Sequence, residues 1–347
     1  MILLLAAIAT GGCSSVKKLP DNTQLVIKED FALNGTLLKR DPVALLSVNP
    51  PNTRLFGIPL KLNIYNLSQS NTDSLFDNWL DKKQGRREKW NRFLSAKQVD
   101  KVKTYKRNFN DWLKENGEPP ALLSKETIAQ TENRLEQYHK NKGYFNTTVS
   151  SKIDTLGPKK AAVHYSISTG EVFLMDSISS VIASQDIQKI YQAEKSQSFL
   201  KPNTPFENNL FEQERERLIN SFKNNGIFNF QQRSIRFKAF KDSLGQDLYI
   251  PVIVEIKNAQ ERIGDSLIEK PYKIKHINEV ELYINPAKSN FTIFTDSITH
   301  QGIKLYSVGK LKYKPEVLTR GILIKQGAVY SNENRTKTYR YFSDLQN

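Results

Sequence analysis

The residues able to do chemistry are few and far apart. His139, His164, His276 and His300 are too widely separated for any two to form a metal-ligand pattern. His164 falls on the polar side of a strand pattern and His139 at a helix end, both read as surface positions. Ser14-Ser15-Val16-Lys17 has the Ser-x-x-Lys order of an activated serine, but nothing around it would build a pocket. Glu212, Glu214 and Glu216 sit among Arg215 and Arg217 on a helical pattern, which reads as surface ion pairing. There is no Gly-rich phosphate loop, and no set of nucleophile, base and oxyanion donor can be assembled. The sequence therefore predicts no catalysis, no cofactor, no metal and no small-molecule substrate. One thiol remains. Cys13 is the chain's only cysteine, so no intrachain disulfide can form and its sulfur is open to modification.

Cys13 follows Met1-Ile-Leu-Leu-Leu-Ala-Ala-Ile-Ala9. That run is far short of the roughly 20 apolar residues that span a bilayer. It matches instead the apolar part of a secretory signal over 1–12. Thr10-Gly11-Gly12-Cys13 resembles a bacterial lipobox, with Thr at position 10 where Leu is usual and no Lys or Arg before the apolar run. On that reading Cys13 is the lipid attachment site and 13–20 a tether holding the chain to the outer membrane. The rival readings are an unlipidated signal or a buried N-terminal strand with an incidental cysteine.

A second chemical feature is charge. The 347 residues carry 51 Lys and Arg against 36 Asp and Glu, a formal +15, which calls for an anionic partner. Twelve of those cations fall in 82–114, against Glu88, Asp100 and Asp111, with Trp90, Phe93, Tyr105, Phe109 and Trp112 interleaved. Arg86, Arg87, Lys101, Lys103 and Arg107 are the candidate basic contact surface. Val102, Tyr105, Phe109 and Leu113 recur at helical spacing, which predicts an amphipathic helix with its aromatics in the core and its charges in solvent. Anionic lipid headgroups or an acidic protein are the next reading. Nucleic acid is the last, and export from the cytoplasm opposes it.

The elements that must position these groups come from an internal repeat. Arg134-Leu-Glu-Gln-Tyr-His-Lys-Asn-Lys-Gly-Tyr-Phe-Asn146 matches Arg217-Leu-Ile-Asn-Ser-Phe-Lys-Asn-Asn-Gly-Ile-Phe-Asn229 in register, 83 residues apart. Both read as amphipathic helices, with Ser124 as one N-cap and Thr204-Pro205-Phe206-Glu207 as the other start. Gly143 and Gly226 follow each helix, where a left-handed residue ends it. The period then switches to two: Val149 and Ile153 in one copy, Ile235 and Phe237 in the other. Turns at 154–157 and 242–245 lead into Val163/Tyr165/Ile167 and Leu248/Ile250/Val252/Val254/Ile256. Opening strands are expected at Gln24–Ile27, Phe173–Ile182 and Tyr272–Ile284, with a short helix at Asp186–Ala193. The fold class is thus α+β, in tandem β-α-α-β-β modules, each a three-stranded sheet covered by two helices. The divisions are 21–171 with a basic helical insertion at 72–116, then 172–258, then 259–347. The last shows a second strand near Gly302–Val308 and a helix from about Ser331, and reads as incomplete, so a longer protein is expected.

Units of this order and period resemble POTRA domains, the periplasmic modules of BamA/TamA-type outer-membrane assembly proteins. The Lys-Asn-x-Gly-[Tyr/Ile]-Phe-Asn link looks like the Gly-Tyr-Phe segment of that fold. Asn49-Pro-Pro-Asn52, Leu55–Asn66 and Gly117-Glu-Pro-Pro-Ala-Leu-Leu123 look like the first module of the lipidated relatives called TamL. The resemblance covers roughly 13–347. It implies a carboxy-terminal transmembrane β-barrel, for which this chain has no series of alternating ten-residue strands. It also implies unfolded outer-membrane protein clients, a possible TamB-like periplasmic partner and outer-membrane lipid as partners. In that fold the second strand is the open edge, here Thr147–Ile153 and Ser234–Ala239. An extended client strand could add there by β-augmentation. The candidate edge residues are Thr148, Ser150, Lys152, Ser234, Arg236 and Lys238; the simpler reading of their charges is a solvated face. A barrel-less lipoprotein adaptor is the alternative function.

Overall fold

The computed structural model describes residues 16–39, 42–240, 247–263, 265–284 and 294–344. Cys13, the signal and lipobox, the first three residues of the tether and the expected turn at 242–245 lie outside the described residues. The chain divides into two compact units, one holding residues up to 140 with 146–170, the other 141–145 with 171–347.

In the first unit the strands β1 (Leu25–Leu33) and β2 (Thr36–Leu37) precede a 3-10 turn at Pro42–Leu46. Helices α1 (Leu60–Leu67), α2 (Thr72–Asp81), α3 (Arg86–Phe93), α4 (Ala96–Asn116) and α5 (Lys125–Lys140) come next, then β3 (Thr148–Thr155) and β4 (Lys160–Ser168). The sheet runs β2-β1-β4-β3, with β4 parallel to β1 and antiparallel to β3. Alternation on β4 sends Val163, Tyr165 and Ile167 into a core with Ile128 and Leu135 of α5. Ser124 caps α5, accepting the Glu126 N–H at 3.2 Å. The short turn at Pro42–Leu46 stands where a first helix was expected, and Val43 joins the core from it.

The two proline motifs clasp the base of the α1–α4 segment. The Asn49 amide donates to the Leu122 carbonyl and the Asn52 amide to Pro119, while the Ala121 N–H donates back to Asn52. Gly117 is required by close approach: a Cβ there would lie 2.6 Å from both the Leu113 carbonyl oxygen and the Tyr65 nitrogen. Motif spacing and packing thus have one cause.

In the second unit β5 (Leu174–Ile182), α6 (Gln185–Ala193), α7 (Asn208–Asn224), β6 (Ile235–Ala239) and β7 (Tyr249–Ile256) follow in order. The sheet is β5-β7-β6, with β7 parallel to β5 and antiparallel to β6, the arrangement of β1, β4 and β3 over again. Ile187 and Tyr191 of α6 and Phe211, Leu218 and Phe222 of α7 share one core with Val252, Val254 and Ile256. The α+β class and its small sheets are as expected, except that the short β2 makes the first sheet four-stranded where three strands were expected. The start of α7 is not. Glu207 is the last residue before the helix, and Thr204 is no cap: its carbonyl accepts the Met175 N–H and its hydroxyl donates to Lys201. The outer edge of β5 claims that backbone before the helix can.

The remainder departs further from expectation. A two-stranded hairpin, β8 (Ala259–Ile263) and β9 (Ser266–Lys270), precedes β10 (Glu281–Ile284), β11 (Asp296–His300), β12 (Ile303–Ser307), α8 (Pro315–Thr319) and α9 (Asn332–Asp344). The order β10-β12-β11 repeats the mixed pattern, but here the hairpin comes before the helices. The strand expected from Tyr272 is confined to Glu281–Ile284. Tyr272 is instead buried in the core of the β5-β7-β6 sheet, its hydroxyl 2.8 Å from Ser234 Oγ and accepting the Gln231 N–H at 3.2 Å.

The 83-residue repeat marks a joint as well as a helix end. The Asn141 carbonyl accepts the Asn208 N–H, Gly143 accepts the Phe173 N–H, and Phe145 packs on Phe173 and Phe206. In the second copy Asn224 Oδ1 accepts the Glu333 N–H, Gly226 accepts the Lys275 N–H, and Phe228 packs on Tyr330. Both sets lie inside the second unit. Gly143 and Gly226 have φ of +91° and +95°, the region that favours glycine.

Candidate strand edges and a basic aromatic face

Each of the first two sheets has one outer edge occupied by its own chain. The β1 edge carries β2 at one end, and at the other Val26 donates to Ala121 and Leu123 to Gln24. The β5 edge exchanges bonds with Asn203 and Thr204. No described segment pairs with the outer side of β3 or β6. A strand paired on one side leaves alternate N–H and C=O groups free on the other, a template for an added strand.

On β3, Thr148, Ser150 and Lys152 are exposed and stand opposite Ser168, Ser166 and His164. They belong to the face that α5 does not cover. A charge ladder crosses that face: Lys152 reaches Asp154 at 3.1 Å, and His164 lies 3.2 Å from Asp154 and 3.1 Å from Asp30. His164 is thus a cross-strand tie rather than a plain surface residue, and His139 is buried where exposure was expected.

On β6, Arg236 and Lys238 are exposed, and Lys238 pairs with Glu255 at 2.8 Å. The bonded ammonium holds the Glu255 carboxyl below the ordinary carboxylate range. Ser234 does not belong to the edge. It is buried in a 3-10 turn, bonded to Tyr272, and its carbonyl takes the Lys257 N–H. Arg215 also donates to the Ile235 carbonyl at 3.0 Å. The open run of β6 therefore starts at Arg236, whereas β3 offers Thr148–Thr155.

The basic segment is more neutral and more apolar at its surface than its sequence implied. Asp73, Asp77 and Asp81 recur every fourth residue along α2, just before the counted window. Lys103 lies 2.6 Å from Asp77, Arg107 3.2 Å from Asp73, and Arg87 2.5 Å from Asp81. Hydrogen bonds to these carboxylates raise the Arg87 guanidinium and the Lys103 ammonium above their ordinary values. Arg86 donates to the Trp79 carbonyl and stands 4.7 Å over its ring. Of the five predicted contact residues only Lys101 projects without a partner among the described residues.

The expected aromatic core is overturned. Val99, Asn110 and Leu113 are the buried residues of α4. Tyr105 is 72% exposed, Phe109 60%, Trp112 50%, and Phe93 of α3 87%. The cover comes from α1, α2 and α3 and does not reach the adjoining stripe: Phe76 and Leu80 of α2 pack on Val99, with Val102 at the margin, and the Asn110 amide donates to the Gln69 carbonyl just past α1.

Sequence reasoning also missed Glu214. It is no surface pair but fully buried, accepting from Arg217 at 2.7 and 2.9 Å and from the Phe199 N–H at 3.0 Å. The bond raises the Arg217 guanidinium above its ordinary value. The Glu-x-x-Arg spacing was visible; its burial was not. Among the described residues no group of acidic, His or Cys side chains could hold a metal, and no helix is long and apolar enough to cross a membrane.

No protein-family model and no curated protein matches the chain. Solved structures overlap it in part. POTRA3-5 of Haemophilus influenzae BamA is 10% identical, with 63% of this chain and 69% of that one covered and a TM-score of 0.29. POTRA1-3 of the periplasmic domain of Omp85 from Anabaena is 8% identical over 93% and 86%, at 0.25. The N-terminal domain of Omp85 from Thermosynechococcus elongatus is 13% identical over 66% and 75%, at 0.21. At these TM-scores the functional reading rests on the strand order and the repeat.

Proposed function

We propose that this chain is the POTRA-like, periplasm-facing region of an outer-membrane protein assembly or translocation factor, held at the membrane through Cys13, and that it is not an enzyme. Its open strand edges receive extended strands of unfolded outer-membrane proteins. One observation carries this: two repeats have the same mixed three-strand order, with the β1 or β5 edge occupied by the chain itself and the β3 or β6 edge open. Backbone pairing at such an edge asks little of client sequence, which suits a receptor of many clients. Of the two, β3 is the longer and has no backbone group taken by an arginine, so it is the main dock. The cations Lys152, Arg236 and Lys238 deter pairing between copies.

The test places a photo-crosslinking residue at Thr148, Ser150 or Lys152, and separately at Arg236 or Lys238, in the full chain. Adducts with a denatured outer-membrane barrel protein, more at β3 than at β6, are expected. Absence of client adducts at both edges overturns the reading. Adducts only with a folded periplasmic partner of the TamB kind would move the function from client reception to bridging.

A further inference from the structure

The exposed aromatics of α3 and α4 need an occupant. A soluble surface seldom shows four large rings within some twenty residues, and a patch of that kind marks an interaction site. Tyr105, Phe109 and Trp112 recur at the four- and three-residue steps of one helix stripe, with Lys101 one turn before Tyr105 on the same stripe. Phe109 and Trp112 stack, ring centroids 6.0 Å apart. On and just past α3, Trp90, Phe93 and Leu94 line a cavity of about 440 Å³ together with Lys83, Arg86 and Lys89. That volume lies within the range of small-ligand sites.

The charges around these rings are the ones left over. The ion pairs of the segment use Arg87, Lys103 and Arg107. Lys83, Lys89, Arg92 and Lys101 are exposed, with no carboxylate partner among the described residues. Unpaired cations beside exposed rings and an apolar cavity ask for a ligand that is anionic at one level and hydrocarbon just beneath. An acidic protein supplies the first without the second. A bilayer surface supplies both: aromatic rings settle at the headgroup boundary, and Lys and Arg gain from anionic lipid.

We propose that α3 and α4 form a peripheral membrane-binding face for anionic phospholipid. Phe93, Phe109 and Trp112 enter the interface, the Trp90–Leu94 cavity takes the upper part of one lipid, and Lys83, Lys89, Arg92 and Lys101 hold headgroup phosphates. The face works apart from the Cys13 anchor and apart from strand docking, and its test separates the three.

The experiment uses the full chain carrying Cys13→Ser, so that no acyl chain contributes. It is co-sedimented with vesicles of phosphatidylglycerol in phosphatidylcholine and with vesicles of phosphatidylcholine alone. All three tryptophans, Trp79, Trp90 and Trp112, lie in this segment, so tryptophan emission reports on it directly. Binding to the anionic vesicles with a blue shift, and little binding to the neutral ones, is expected. Neutralising Lys83, Lys89, Arg92 and Lys101 to Gln one at a time should each weaken partition by about fivefold. Phe93→Ser with Phe109→Ser should weaken it by more than tenfold while circular dichroism stays unchanged. No binding to anionic vesicles overturns the proposal. So does binding that survives the double Phe variant, or binding to polyglutamate with none to vesicles, which would assign the face to an acidic protein. Client crosslinking at β3 is unaffected by any of these outcomes.

Discussion

Helices α7 and α4 look alike in sequence and differ in what covers them. Each carries apolar residues at helical spacing with charges between. On α7 the whole stripe is covered by the β5-β7-β6 sheet and α6, so Phe211, Leu218 and Phe222 are core, and even Glu214 is enclosed. On α4 the cover comes from helices alone, α1, α2 and α3, and they shield a narrower band than a sheet does. Val99 and Leu113 fall inside that band, while Tyr105, Phe109 and Trp112 fall beside it. Periodicity locates a face; the width of the neighbour decides how much of it is core.

The sharpest way to break this comparison is at the charges. Glu214→Ala would leave Arg217 only Glu194, at 3.6 Å, and leave the Phe199 N–H unmet, a loss of about 3 kcal/mol. Glu214→Leu with Arg217→Met should recover most of it, because paired apolar groups need no solvation. Urea unfolding of the three variants measures both. A Glu214→Ala loss no greater than that of a surface pair would mean the site is wet. Phe222→Ala tests the same core by cavity formation and should cost about 3–5 kcal/mol.

The two glycine links give a middle-sized effect. A Cβ at Gly226 would meet Ile274 Cγ2 at 2.7 Å and Val329 Cγ1 at 3.0 Å, both on stiff β-branched side chains, and the Lys275 nitrogen at 3.3 Å. A Cβ at Gly143 would meet only backbone, the Phe173 oxygen and Phe206 nitrogen and oxygen at 3.2 Å. Both positions also carry the strain of a positive φ, worth about 1–3 kcal/mol. Gly143→Ala and Gly226→Ala should therefore each lower the urea midpoint, and hydrogen exchange should rise around Phe206 in the first and around Val329 in the second. Uniform exchange across the unit in both variants would show that the links serve helix termination alone.

How much of this was legible follows the range of the interactions. The helix–strand–strand halves of the first two modules could be read because cap, link and alternation lie within a few residues of one another. Ser124, Gly143 and the Val163/Tyr165/Ile167 alternation are local signals. Thr204 misled because a strand edge far away in sequence competes for its backbone. Tyr272 misled because its partners are Ser234 and Gln231, forty residues back and in another element. On the basic segment the counted window began one residue after Asp81, so the acidic ladder at every fourth position of α2 went unweighed. The open edges were legible only through the family resemblance. Which edge residues are free depends on tertiary packing: the Tyr272 hydroxyl takes Ser234 off the edge.

The smallest expected effect is the most discriminating between the two helices. Phe109→Ala deletes as much hydrocarbon as Phe222→Ala, yet the ring is more exposed than buried and touches Trp112 rather than a core. A surface substitution of this sort changes stability by no more than about 0.5 kcal/mol. The urea midpoint of Phe109→Ala should then match that of the parent chain in solution. If it fell as far as that of Phe222→Ala, the ring would be covered within the chain itself, and α4 would be a core helix of the same kind as α7. If it stayed level, hydrocarbon on this face gains nothing from folding. What keeps it there must then act when the surface meets something else.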